Sequence, residues 1–329
     1  MSEQDVSHRS EEVVVERIEG QVDWPPGNVA AYLLDCAEPV LFDAIMAGED
    51  PREELEAGLA ERNLEIADIE HLVITHPHVD HVGQVPAVVE EADPTIYAPE
   101  GIDERFARDA DDLAETVERN ATEAGLRGEY LERAIDMSVE SLERDSSLLP
   151  ADRVDHWVPR GGEIEVGPVT FETTHTPGHQ ADHLVYRTDV GDESVLFAGD
   201  TALDTFRPVA MHVGFDDGYE AAIDAYYTAL DRLADLDVDR VFTGHDPAHT
   251  DLQGAVEDDR ESLDRLMEKT LDLLEPENGK TAVDVAFERS GERDMRYLVI
   301  ETMSGLAKLE SDGEATSTVE DGVRRFTLA

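Results

Sequence analysis

Seven residues near the end of the first quarter of the chain, Thr75-His76-Pro77-His78-Val79-Asp80-His81, carry the densest chemistry in the sequence. They follow an apolar run, His71-Leu72-Val73-Ile74, that reads as a short buried strand. Imidazole and carboxylate groups suit zinc and other first-row metals, so a turn holding three histidines and one aspartate is a candidate metal site. His76 and His78 alternate and can face one cation, while Asp80 and His81 can turn toward a second. Three further groups follow downstream, again after apolar runs: His179 in Thr176-Pro177-Gly178-His179, Asp200 after Gly199, and His245 in Gly244-His245-Asp246. An aspartate straight after a strand and a glycine is placed to bridge two cations with one oxygen each. His175 and His183 flank His179 and are expected to support the ligands rather than to coordinate. Between Asp200 and the next helix lies a long irregular stretch, 201–218, in which Phe206, Met211 and His212 are candidates to line a substrate wall.

These groups need strand ends to hold them. Short apolar runs at 13–15, 28–35, 40–43, 71–74 and 95–98 read as strands, with helices expected at 51–63 and 82–92, the latter beginning at the metal turn. From 101 to 149 the chain becomes highly charged with apolar residues at helical intervals, which predicts an insertion of two or three amphipathic helices, packing or forming a wall over a pocket. Strands resume at 156–158, 163–166, 169–174, 184–186 and 194–198, followed by a helix at 219–236 and a strand at 240–243. A long helix at 251–274 and a linker at 275–279 lead to two helices, 281–287 and 296–309, and a two-stranded hairpin at 313–328 turning at Asp321-Gly322. The expected organisation is therefore a flexible N-terminus (1–11), a catalytic domain (12–250), a connecting helix (251–274) and a small C-terminal domain (275–329).

Composition limits the function classes. The chain of 329 residues has 78 acidic and 26 basic side chains, a formal charge of −52, and three lysines, Lys269, Lys280 and Lys308. Molar salt shortens the screening length to about 3 Å and so tolerates such self-repulsion. The charge is read as adaptation to a saline cytoplasm, because 40% hydrophobic content with periodic apolar runs excludes an acidic disordered chain. It also disfavours nucleic acid as a partner. The single cysteine, Cys36, excludes an intrachain disulfide and a thiolate cluster. No stretch approaches the roughly 18 apolar residues of a membrane span, and the polar start lacks the apolar core of a leader, so a cytoplasmic protein is expected.

The ordered set His76, His78, Asp80, His81, His179, Asp200 and His245 resembles the metallo-β-lactamase-fold hydrolases over about residues 12 to 250. The resemblance implies an α/β fold, an αββα sandwich with metals at one edge. It implies two divalent cations, most readily zinc, with iron and manganese compatible: the first on His76, His78 and His179, the second on Asp80, His81 and His245, with Asp200 bridging. In that chemistry a hydroxide generated from shared water attacks the substrate, and Asp80 orients the nucleophile or shuttles its proton. The bridging aspartate is similar to the hydroxyacylglutathione hydrolase (glyoxalase II), lactonase and ribonuclease branches. The tail resembles the winged-helix-like domain of a related branch, but its second helix carries Glu301 and Glu310 where a nucleic-acid reader needs a basic face. The tail is therefore expected to cap the pocket or form a homodimer. The reading is a hydrolase of a small ester, thioester or lactone. Its rivals are a metal-dependent endoribonuclease, a mononuclear iron persulfide dioxygenase, and a nucleic-acid-binding regulator with a vestigial metal site.

Overall fold

The computed structural model describes residues 13–290 and 296–329. The expected flexible segment, 1–11, lies outside the described residues. The chain begins with strands β1 (Val14–Gln21), β2 (Asn28–Asp35) and β3 (Val40–Phe42), helix α1 (Glu49–Glu61) and β4 (His71–Val73). Helices α2 (Val79–Val82) and α3 (Val85–Ala92) lead to β5 (Thr95–Pro99). The insertion forms three helices, α4 (Ile102–Phe106), α5 (Ala110–Ala124) and α6 (Glu129–Leu148). Next come β6 (His156–Val158), β7 (Gly161–Val166), β8 (Val169–His175), β9 (Leu184–Val190), β10 (Glu193–Gly199), α7 (Ala222–Ala234) and β11 (Arg240–Thr243). The remainder is α8 (Leu252–Asp272), α9 (Ala282–Ser290), α10 (Arg296–Ser311) and the hairpin β12 (Ala315–Glu320) and β13 (Val323–Leu328).

Two sheets of six and five strands, in the orders β1-β2-β3-β4-β5-β6 and β11-β10-β9-β8-β7, stack face to face. Strand β2 shows why its sequence is apolar without interruption. Ala30, Tyr32 and Leu34 enter the core between the sheets, while Val29, Ala31 and Leu33 face the helices behind. A strand buried on both faces cannot alternate with polar residues. Phe42, Phe171, Tyr186 and Phe197 interlock between the sheets, with Phe42 stacked on Phe197 at a centroid separation of 4.2 Å. Two tyrosine hydroxyls cross this core to pin the ends that carry chemistry: Tyr186 donates to the carbonyl of Ile74 (2.9 Å), just before Thr75-His76, and Tyr32 to that of Thr243 (2.7 Å), just before Gly244-His245.

The outer face of the second sheet is covered by one continuous apolar cluster. It joins Leu113 and Val117 of α5, Ile223 and Leu230 of α7, Leu263 of α8, Met303 and Leu306 of α10, and Phe326 of β13. Insertion, connecting helix and tail thus share a core.

The expected helix at 82–92 is corrected. Helical backbone starts at Val79, inside the metal turn, and breaks at Gly83-Gln84 before restarting at Val85. The amides of Gly83 and Gln84 are drawn away to the carbonyls of Ile45 and Ala44 (2.8 Å each), and the Gln84 side chain donates to the carbonyls of Met46 and Gly48. Those bonds replace the intrahelical ones that a continuous helix would need.

Candidate metal centre

The predicted ligands come together at one edge of the sandwich. His76, His78, His179 and Asp200 form one group and Asp80, His81 and His245 another, with one donor atom per residue lying within 4.8 Å of the others in its group. Nε2 of His76 and Nε2 of His179 each lie 3.0 Å from Nδ1 of His78. Asp200 stands between the groups: Oδ2 is 3.2 Å from His179 Nε2 and 3.1 Å from His245 Nε2, and Oδ1 is 3.2 Å from His81 Nε2. Asp80 reaches His245 Nε2 at 3.8 Å. Among the described residues, His81 Nε2 and Asp200 Oδ1 are buried without a hydrogen-bond partner. Unpartnered buried acceptors of this kind are costly unless a cation completes them.

The second ring nitrogen of each histidine decides where its lone pair goes. Nδ1–H of His179 donates to the carbonyl of Val209 (3.0 Å) and that of His245 to the carbonyl of Asn28 (2.6 Å). Carbonyls only accept, so both rings present an unprotonated Nε2 inward when neutral. Asn28 Nδ2 returns a bond to the His245 carbonyl at 2.6 Å, which fixes that loop against β2.

Asp43 does the same for the first turn, and it was not singled out by the sequence. Its Oδ2 accepts from His81 Nδ1 (2.9 Å) and from the Thr75 hydroxyl (2.8 Å), its Oδ1 accepts from the Thr75 amide (2.8 Å), and the Thr75 hydroxyl in turn accepts from His76 Nδ1 (3.0 Å). One buried carboxylate therefore orients a histidine of each group. The signal was available: Asp43 ends the apolar run Val40-Leu41-Phe42 as Asp200 ends its own.

Electrostatics agree with a site built for positive charge. Burial works against the charged form of Asp200, but His245 and His81 override it and hold the carboxyl well below its usual range. Burial also opposes charge on His81 and His245, yet Asp200, joined at His81 by Asp43, raises His81 well above the ordinary histidine value and His245 to about 9. His76 and His78 are pushed well below it, by burial first and then by neighbouring histidines. The donor set thus offers neutral imidazoles on one side and demands cationic charge around a central carboxylate, which fits two divalent cations.

Two glycines make this approach possible. A Cβ at Gly244 would fall 2.3 Å from Asp200 Oδ1 and 2.8 Å from His81, and Gly199, at φ 49°, faces His183 Nε2 and Thr75 Oγ1 at 2.7 and 2.8 Å. A side chain at Gly244 would collide with the donors themselves, and one at Gly199 with the residues that support them.

The remaining candidates fall in different places. His183 supports Asp200 directly: its Nε2 accepts the Asp200 amide (3.1 Å) and its Nδ1 meets the Thr176 hydroxyl (2.7 Å). His175 faces the Ala181 carbonyl and Arg232, away from the donors. The Phe206 ring lies 6.3 Å from the ring of His245 and is partly exposed. Met211 is half-buried in the same loop. The His212 backbone amide bonds to the carbonyls of Gly178 and His179 (3.0 and 2.9 Å), so this residue shapes the His179 turn, and burial lowers its imidazole to about 4. Helix α6 of the insertion packs against α2, the helix carrying Asp80 and His81.

The metallo-beta-lactamase superfamily model matches residues 24–245. The chain belongs to the metallo-beta-lactamase superfamily. The superfamily match covers both donor groups, and more extended similarities reach into the tail. Probable metallo-hydrolase YqjP of Bacillus subtilis is 23% identical, covering 96% of this chain and 98% of that protein. Beta-lactamase-like protein 2 homolog of Caenorhabditis elegans is 27% identical over 74% of this chain, a match that spans 60% of the relative's length. A solved metallo-beta-lactamase family protein from Thermus thermophilus superimposes with a TM-score of 0.78 at 24% identity, covering 96% of this chain and 98% of its own. A beta-lactamase domain protein from Burkholderia ambifaria gives 0.76 at 20% identity, over 97% and 94%. The shared fold therefore includes the C-terminal helices and hairpin. Among the described residues, no helix is long and apolar enough to cross a membrane.

Proposed function

We propose that this protein is a dinuclear metal-dependent hydrolase of small esters, thioesters or lactones, similar in chemistry to hydroxyacylglutathione hydrolases. The observation that carries this reading is the aspartate between two donor groups: both oxygens of Asp200 face imidazole nitrogens whose tautomers are set by acceptors behind them. Bound there, a pair of divalent cations, most readily zinc, supplies a lowered water pKa and a Lewis acid for the scissile carbonyl. His76, His78 and His179 would hold one cation and Asp80, His81 and His245 the other, with Asp200 shared. Asp80, 6% exposed at the N-terminal turn of α2, is placed to orient the attacking water or take its proton. Phe206 beside His245 and helix α6 beside α2 flank the site and are read as parts of a substrate wall.

The tail is read as a winged-helix-like cap. Val299, Glu301, Met303 and Leu306 of α10 are all buried, which supports packing and argues against insertion of this helix into a groove of nucleic acid. The charge of −52 supports a saline working environment, so assays belong in molar potassium chloride.

The reading is tested by thiol release from glutathione and coenzyme A thioesters, with zinc, manganese or iron supplied, comparing wild type with His78→Ala. Turnover present in wild type and lost in the variant supports it. Absence of turnover on thioesters, esters and lactones with every metal would overturn it.

A further inference from the structure

A second polar cluster lies behind the loop that lines the metal centre. A cavity of about 260 Å³ opens between α8, α9, α10 and the 201–218 loop, and four of the 26 basic side chains of the protein line it: Arg207, Arg265, Lys269 and Arg289. In a chain with a threefold excess of acids, such a concentration is opposite to the composition around it. Arg207 and Arg289 are largely buried at the base, while Arg265 and Lys269 stand exposed at the rim. One ion-paired carboxylate faces the pair at the base, and the buried carboxyl of Asp259 also lies near Arg207. Glu301 takes Arg207 on Oε1 at 2.8 Å and Arg289 on Oε2 at 3.6 Å. At the rim, Arg265 has the exposed i,i+4 partner Glu261 at 3.0 Å, and Lys269 has no ion-pair partner among the described residues. Exposed pairs of that kind hold their charges weakly, leaving the rim cations available. Ser262, bonded to Arg207 Nε at 3.2 Å, adds a hydroxyl to the lining.

The base of this cleft and the metal centre share one short segment. Phe206 lies against His245, the Val209 carbonyl fixes His179, and between them Arg207 bonds its neighbouring Pro208 carbonyl (2.8 Å) while the Ala210 amide donates to Glu301 (3.2 Å). Residues 206–210 are thus clamped on one side by the cationic cluster and touch two candidate ligands on the other.

We propose that this cleft binds the phosphate group of a small molecule and that its occupancy tightens the 206–210 segment against the metal centre. Guanidinium forks and a lysine ammonium match a tetrahedral oxyanion, and the volume lies just below the roughly 300 Å³ at which drug-sized ligand sites begin, so it suits a phosphate or a short phosphorylated compound.

The test uses the full-length, metal-loaded protein and two probes, inorganic phosphate and glycerol phosphate, titrated calorimetrically at fixed ionic strength in potassium chloride. Wild type is expected to bind at least one probe saturably, the tighter of the two identifying free phosphate or a phosphate ester as the source. The rim variant Arg265→Gln/Lys269→Gln is expected to bind about tenfold more weakly. Arg119→Gln, which removes an exposed cation elsewhere, is expected to bind as wild type does. The probe should also slow metal release into a chelator in wild type and not in the rim variant. Binding that is absent, or equal in wild type and the rim variant, would overturn the proposal, since phosphate held by the metals themselves is indifferent to the rim. Rim-dependent binding with no effect on metal release would overturn the coupling to the metal centre.

Discussion

Two buried ionic clusters sit on opposite sides of residues 206–210, and they solve the same electrostatic problem differently. At the metal centre, carboxylates outrun the fixed cations, so positive charge has to be brought in. Behind the loop, two guanidinium groups share the carboxylate of Glu301, with the carboxyl of Asp259 near Arg207. The first cluster is assembled from turns that each follow a strand; the second joins Arg207 to Glu301 across 94 residues of sequence. The first cluster is the candidate metal centre, and the second clamps residues 206–210 beside it.

The largest effect that separates them is on chemistry. His78→Ala removes a half-buried donor at the start of α2 whose loss leaves the sheets intact, so turnover should fall by more than about a thousandfold while the thermal midpoint of the metal-free protein changes little. Metal content by elemental analysis should fall below two per chain. On the other side of the loop, Glu301→Gln leaves two buried guanidinium groups facing each other and should cost roughly 3–5 kcal/mol in denaturant unfolding. A loss under about 1 kcal/mol would mean that Glu301 is not the keystone of the clamp. Asp43→Asn keeps the shape but offers one acceptor oxygen where the carboxylate offers two, so affinity for the metal in a chelator competition should drop roughly 10- to 100-fold.

The smallest effect is a pH slope. Burial raises the carboxyl of Asp259, on α8 near Arg207, to about 7. The folded state then holds a proton that the unfolded chain releases near pH 4. Between those values the native protein binds more protons than the unfolded one, so stability from this group falls as pH rises from about 4 to 7, by up to a few kcal/mol. Asp259→Asn should flatten that part of the stability profile, and an unchanged slope between about pH 4 and 7 would remove Asp259 as its cause.

The legibility of the two clusters follows from how each is built. Asp200, His179 and His245 could be read because each lies in the turn that follows a strand, where a polar residue after an apolar run has few structural roles. Asp43 meets the same criterion but stands alone, with no neighbouring histidine to flag it; only the fold shows that it reaches His81 and Thr75. Glu301 is the opposite case. On a helix of mixed polarity it reads as a solvent-facing acid, whereas it is 2% exposed beneath Arg207 and Arg289. No local pattern signals a charge whose partner lies on a distant loop. The break at Gly83-Gln84 was hidden for a related reason, since the carbonyls that capture those amides belong to the segment after β3.

The shared core of insertion and tail has a consequence for synthesis on the ribosome. Leu113 and Val117 of α5 pack in the same cluster as Phe326, and Arg324 ties Glu123 of the insertion to Glu220 and Glu310. The first sheet, whose contacts are mostly between neighbouring elements, can assemble while translation continues. The apolar stripe of α5 must wait for some 200 further residues before its final neighbours emerge. Until then α5 is held by elements made earlier, above all α6, and a chain that stops short of the last strand is expected to leave part of this apolar stripe uncovered.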